Sequence, residues 1–165
     1  AQGFTRLFGN TVLMQRAEFG FMGLYSQEIG MAPFERFFLG GDGLTGFNLD
    51  GREIIALRGY QSPAIGNRRS GNVAYNKFTL ELRQPISLKP QATIWLDAFL
   101  EAGSAAGEFR QFNPTNLQRS AGGGVRIFLP IFGLLGVDFG YGFDEIPGLR
   151  NAGGFQTHFM IGQQF

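Results

Sequence analysis

The 165-residue chain is long enough for one domain, and its 14 Lys plus Arg nearly balance 13 Asp plus Glu, a formal charge of +1 that gives no general attraction to nucleic acid. Cysteine is absent, which excludes disulfides and thiolate chemistry. Only 16% of residues are charged, whereas 26 glycines and 19 phenylalanines favour glycine-kinked, aromatic-studded strands over helices.

Residues 1–9 read as a strand stub. Residues 11–25 then place Leu13, Ala17, Phe19, Phe21 and Tyr25 on one parity and Arg16, Glu18 and Gly20 on the other, the two-residue period of a strand with unlike faces. A connection follows over residues 26–71, far longer than those inside ordinary compact domains, where such length usually signals function or disorder. Alternation resumes at residues 73–84, with Phe78, Leu80 and Leu82 opposite Lys77, Thr79, Glu81 and Arg83. Pro85 to Pro90 reads as a short turn. In residues 92–103, Ile94, Leu96, Ala98 and Leu100 oppose Trp95, Asp97, Phe99, Glu101 and Gly103.

After a loop over residues 104–118, residues 119–130 set Val125, Ile127 and Leu129 against Gly122, Gly124 and Arg126. Pro130 to Gly133 is a second tight turn. Residues 134–144 set Leu135, Val137, Phe139, Tyr141 and Phe143 against Asp138, Gly140, Gly142 and Asp144. Beyond a loop at 145–153, the strand 154–165 puts Phe155, Phe159, Ile161 and Phe165 opposite Gln156, His158, Gly162 and Gln164.

These strands run to about 10–12 residues, matching the roughly 9–11 that cross a bilayer at a tilt. No stretch approaches the roughly 20 consecutive apolar residues of a membrane-spanning helix. One face is wholly apolar and aromatic while the other carries charges, amides and glycines, which suits lipid outside and a wet lumen inside. Tight and long connections alternate, as they do when the two barrel ends face different compartments. The expected fold is therefore all-β: a single domain over residues 1–165 forming a transmembrane antiparallel β-barrel, or the C-terminal half of a larger one. Six full strands and a stub fall short of the even number, eight or more, with which bacterial single-chain barrels close.

Residues that could carry chemistry read blandly. Gly40-Gly41-Asp42-Gly43 has no Gly-Lys-Ser/Thr after it and no following helix, so it is a turn rather than a phosphate cradle. His158 is the only histidine and reads as a polar group facing the lumen, with no metal site around it. Asp97 and Glu101 share a strand face roughly 13 Å apart, too far for a paired acid and base. Pairing with Arg58, Arg83 or Arg126 is the better reading. No nucleophile elbow or catalytic triad is signalled, so neither enzymatic activity nor a cofactor is expected.

Within the long connection, Gly40 and Gly41 precede Leu57-Arg58-Gly59-Tyr60, and the segment resembles the sixth extracellular loop of the BamA-like outer-membrane protein assembly factors, the bacterial surface antigen or outer-membrane insertase superfamily. In that family the loop folds back into the lumen with a Gly-Gly run and an Arg-Gly-aromatic tip. Leu44-Thr45-Gly46-Phe47 competes for the tip position, but only the later stretch has the arginine. Thr79-Leu80-Glu81-Leu82 and Phe99-Leu100-Glu101-Ala102-Gly103 resemble the wall segments whose acidic side chains hold that arginine.

The resemblance thus implies a loop lock made of Arg58, Gly59, Tyr60, Glu81 and Glu101, and both glutamates fall on the polar parity of their strands. The final strand, with Phe159, Ile161 and a terminal Phe165, resembles the C-terminal signal that barrel proteins present to their assembly machine. The implied function is insertion of barrel proteins into the bacterial outer membrane by strand augmentation. Implied partners are outer-membrane lipids, unfolded outer-membrane proteins, and periplasmic or lipoprotein assembly factors; open strand edges add homo-oligomerisation as an expectation. Two alternatives stand beside it: a self-contained small barrel with a structural or surface role, and the barrel of a two-partner secretion transporter.

Overall fold

A computed structural model describes residues 1–23, 36–41, 53–146, 148–149 and 152–161. Tyr25, the Leu44-Thr45-Gly46-Phe47 stretch and Phe165 lie outside the described residues. The strands are β1 (Gln2–Arg6), β2 (Val12–Phe21), β3 (Phe37–Leu39), β4 (Glu53–Ile55), β5 (Ala74–Lys89), β6 (Ala92–Ala106), β7 (Gln118–Leu129), β8 (Gly133–Gly142) and β9 (Gly154–Ile161). Seven of them form one sheet in the order β1-β2-β5-β6-β7-β8-β9, antiparallel at every junction, while β3 and β4 form a separate two-stranded parallel ladder. Among the described strands β1 pairs only with β2 and β9 only with β8, so the sheet is an open, partial barrel.

The alternation in the sequence becomes an inside and an outside. Phe78, Leu80 and Leu82 on β5, Leu96 and Leu100 on β6, Val125 on β7, Phe139 and Tyr141 on β8, and Phe159 and Ile161 on β9 are all exposed on one face. Their neighbours Thr79, Glu81, Asp97, Glu101, Ser120, Arg126, Asp138 and His158 are buried on the other. A soluble protein would bury the first set and expose the second; only a nonpolar solvent outside reverses the assignment. Ten residues, the length of β2 and β8, rise about 33 Å and, tilted at about 40°, span about 25 Å, the height of an outer-membrane apolar band.

Edge-to-face pairs of Phe19 with Phe78 and of Phe21 with Phe109 and Phe112, and the stacked pair Phe139 and Phe155, gather at the end of the long connections. They form the aromatic girdle expected where hydrocarbon meets head groups. No described helix is long and apolar enough to cross a membrane.

The turn expected from Pro85 to Pro90 is shorter than the sequence implies. Strand β5 continues through Pro85, opposite Trp95, to Lys89, with a bulge between Pro85 and Ser87. Proline is tolerated because β2 stops at Val12 opposite Arg83, leaving β5 one ladder at that height rather than two, and the bulge relaxes that one. The stub at residues 1–9 is a short paired strand, with Gln2 opposite Arg16 and Arg6 opposite Val12.

The lipid-facing assignment predicts an asymmetry between two exposed apolar residues. Leu96→Arg, in mid-strand, should destabilise the protein in vesicles by about 2–4 kcal/mol in urea titrations, and Ile131→Arg, in the β7–β8 turn, by under about 1 kcal/mol. Equal, near-zero effects would place the outer face in water.

Candidate functional site: the loop tip on the lumen wall

The long connection returns to the sheet's inner face, and its backbone is closed by Gly41. The N–H of Leu57 donates to the Gly41 carbonyl at 3.1 Å, and the Gly41 N–H donates to the Tyr60 carbonyl at 2.9 Å, so the turn Leu57–Tyr60 is gripped at both ends. Behind it Leu39, Leu57, Tyr60, Ala64, Ile65 and Ala152 make a dry cluster, the apolar plug that fixes the turn's position. The Tyr60 hydroxyl donates to the Arg119 carbonyl at 2.7 Å and accepts from the Asp144 N–H at 3.2 Å. Burial raises the pKa of this phenol. The hydrogen-bonded Arg119 guanidinium, in turn, holds the Asp144 carboxyl below the usual range.

Gly59 lies directly on strand backbone. Its φ is +89°, and a Cβ there would sit 2.8 Å from the Gly142 nitrogen and 2.9 Å from the Tyr141 carbonyl carbon. The wall is cut to match: a Cβ on Gly140 would meet the Gly59 nitrogen at 2.6 Å. Glycine is needed on both sides of the contact, for conformation and for space.

The turn drives the Arg58 side chain into a charged pocket. Its Nη2 lies 2.8 Å from Glu101 Oε1 and 3.0 Å from Glu81 Oε2, and its Nη1 lies 2.8 Å from Asp138 Oδ2. Its backbone N–H donates to Glu101 Oε2 at 2.8 Å, and its guanidinium carbon sits 3.6 Å from the centre of the Phe99 ring. Burial works against this charge, but the carboxylates of Glu101, Glu81 and Asp138 outweigh it and hold the pKa above its ordinary value. A planar fork with five donors can face three acids and a ring at once, which a lysine ammonium cannot.

Four carboxylates, Glu81, Asp97, Glu101 and Asp138, meet four cations here: Arg58, Lys77, Arg83 and Arg126. Strand register makes the cluster. Arg83, Asp97, Gly124, Asp138 and, on β9, His158 lie opposite one another across five strands. A Cβ on Gly124 would intrude on Asp138 and lie 2.8 Å from Asp97 Oδ1, so this glycine is the gap into which two acids lean. Arg126 Nη2 stands between them, hydrogen-bonded to Asp138 Oδ2 at 3.0 Å. It is also 2.8 Å from Asp97 Oδ2, where the contact is an ion pair without hydrogen-bond alignment. Beside the tip a cavity of about 380 Å³, lined by charged groups such as Arg16, Lys77 and Arg83, remains within the lumen.

A family model for the Omp85 superfamily domain matches the whole chain, residues 1–165. The chain belongs to the Omp85 superfamily. Its fold is similar to the crystal structure of BamA from Haemophilus ducreyi lacking POTRA domains 1-3, with a TM-score of 0.59 and 15% identity over 96% of this chain. The match covers 32% of that protein, so this Omp85 domain corresponds to about a third of its length. No curated protein matches the sequence. Family and barrel fold point to a bacterial outer membrane.

In this Omp85 domain Arg58, Glu81 and Glu101 come together, and Gly40 and Gly41 lie behind the tip. Gly59 packs on β8 and Tyr60 is buried in the apolar cluster behind the tip. Phe159 and Ile161 face outward. Asp138, Phe99 and His158 also contact the tip, and parity alone had marked them only as lumen-facing. Among the described residues no group of three His, Cys, Asp or Glu side chains is arranged to hold a metal ion.

Replacing Arg58 by alanine leaves four buried acids against three cations, a change of about 3–5 kcal/mol for a broken buried pair. Limited proteolysis of the lipid-embedded protein should cut within residues 53–73 at least tenfold faster in Arg58→Ala, with Arg58→Lys restoring little of the protection. Gly59→Ala should act in the same direction. Wild-type cleavage rates in all three would contradict a lock.

Proposed function

We propose that this Omp85 domain is part of a BamA-like assembly barrel that folds and inserts outer-membrane proteins, using strand augmentation and no covalent chemistry. The observation that carries the reading is the loop tip: a buried Arg58 joined to β5, β6 and β8 beside a sheet whose last strand, β9, has one described neighbour.

Backbone groups left unpaired in lipid cost several kcal/mol each. An extended client segment entering the membrane carries the same unpaired groups as a free sheet edge, and each satisfies the other by pairing. The tip supports this use of the edge, because it holds the inner wall in one shape while the edge remains available. On this reading the partners are membrane lipid, unfolded outer-membrane proteins, and periplasmic or lipoprotein factors that deliver them.

The test uses the whole protein reconstituted in vesicles, with folding of an unrelated barrel followed by its electrophoretic mobility before and after heating. The reading predicts client folding several-fold faster than in empty vesicles, and a loss of most of that gain in Arg58→Ala. No acceleration by a correctly folded protein would overturn it, and export of a soluble substrate instead would transfer the domain to the secretion branch of the superfamily.

A further inference from the structure

Among the described residues, a side chain whose chemistry the lock does not explain bonds the tip to the sheet's last strand. Gly59 donates its backbone N–H to Nε2 of His158 at 2.8 Å, and His158 is 4% exposed at the middle of β9. Nε2 accepts in this contact through its ring lone pair. Among the described residues, a backbone tie from the Gln61 N–H to the Ala152 carbonyl at 2.9 Å lies just before β9, and His158 makes its contact at the strand's centre.

We propose that His158 is a positioning residue that couples the edge strand β9 to the loop tip, so that one cannot be released without loosening the other. Strand β9 has a ladder on one side only among the described strands, and such edges open most readily. The tip, by contrast, is anchored through Arg58 to Glu81 on β5, Glu101 on β6 and Asp138 on β8. Joining β9 to it lends an edge strand the support of a buried ionic cluster.

The dependence also runs the other way. If β9 moves off, the Gly59 N–H is left buried against β8 without its acceptor, and an orphaned buried donor is costly. Coupling between two sites is reciprocal, so whatever displaces the strand weakens the tip by the same factor. This deepens the proposed function, in which a client would pair at the β9 edge. Its existence, however, is read without any client, so a failed assembly assay and a failed coupling are distinguishable.

The experiment is hydrogen–deuterium exchange on the full protein in lipid, comparing peptides from β9, from the tip and from β5–β6. His158→Phe, which keeps a ring and removes the acceptor, should speed exchange about five- to tenfold in both β9 and the tip while β5–β6 stays unchanged, the size expected for one net hydrogen bond. His158→Gln, which keeps an acceptor, should recover at least half of the lost protection in both places. If His158→Phe does not fold, His158→Ala against His158→Gln makes the same comparison. Faster exchange in β9 without change at the tip, no change in either, or no recovery with glutamine would each overturn the coupling.

Discussion

A guanidinium buried at the tip of a loop is the constraint on which the rest of this structure turns. Arg58 cannot be left in a confined lumen without carboxylates, and Glu81, Glu101 and Asp138 cannot stand within a few ångströms of one another without a cation. Each side of the contact makes the other tolerable. A buried ionic cluster of this kind is weak evidence of overall stability, since apolar residues of the same volume would often do as well. Its strength lies in geometry: three acids on three different strands accept one planar fork in one place, so the loop has one address on the wall.

Much else in the chain follows from bringing backbone that close to a sheet. Gly59 lies on β8 because Gly140 and Gly142 have no side chains, and Gly122 leaves room for the Phe99 ring beneath Arg58. Gly124 opens the space that Asp97 and Asp138 enter. The glycine richness that first suggested strands over helices is therefore spent on the inner face as space for the loop. On the outer face the same strands carry leucine, phenylalanine and tyrosine, because lipid requires it.

Period-two alternation made the two faces legible, since lipid and lumen impose opposite chemistry on successive residues and leave few exceptions. It placed Glu81, Glu101, Asp97, Arg126 and His158 on the lumen side, and resemblance joined Arg58 to the two glutamates. Pro85 was misleading: read locally it ends a strand, and only the early stop of β2 shows why β5 passes through it. What parity could not give was register. That Asp138 reaches Arg58, or that His158 faces Gly59, depends on how five strands slide against one another, and that is set by hairpin turns and by the loop itself. The Gly59 and His158 contact was further hidden because one partner is a backbone N–H, for which sequence carries no side-chain signal.

The most direct measurement is a double-mutant cycle between Arg58 and Glu101 in the lipid-embedded protein, using Arg58→Met, Glu101→Gln and the pair together, with unfolding free energies from urea titration. A lock built on this ion pair predicts that the double variant loses less than the two single losses combined, by about 2 kcal/mol or more. Losses that simply add, within about 0.5 kcal/mol, would show the two groups to be independent and would contradict the tip-to-wall account.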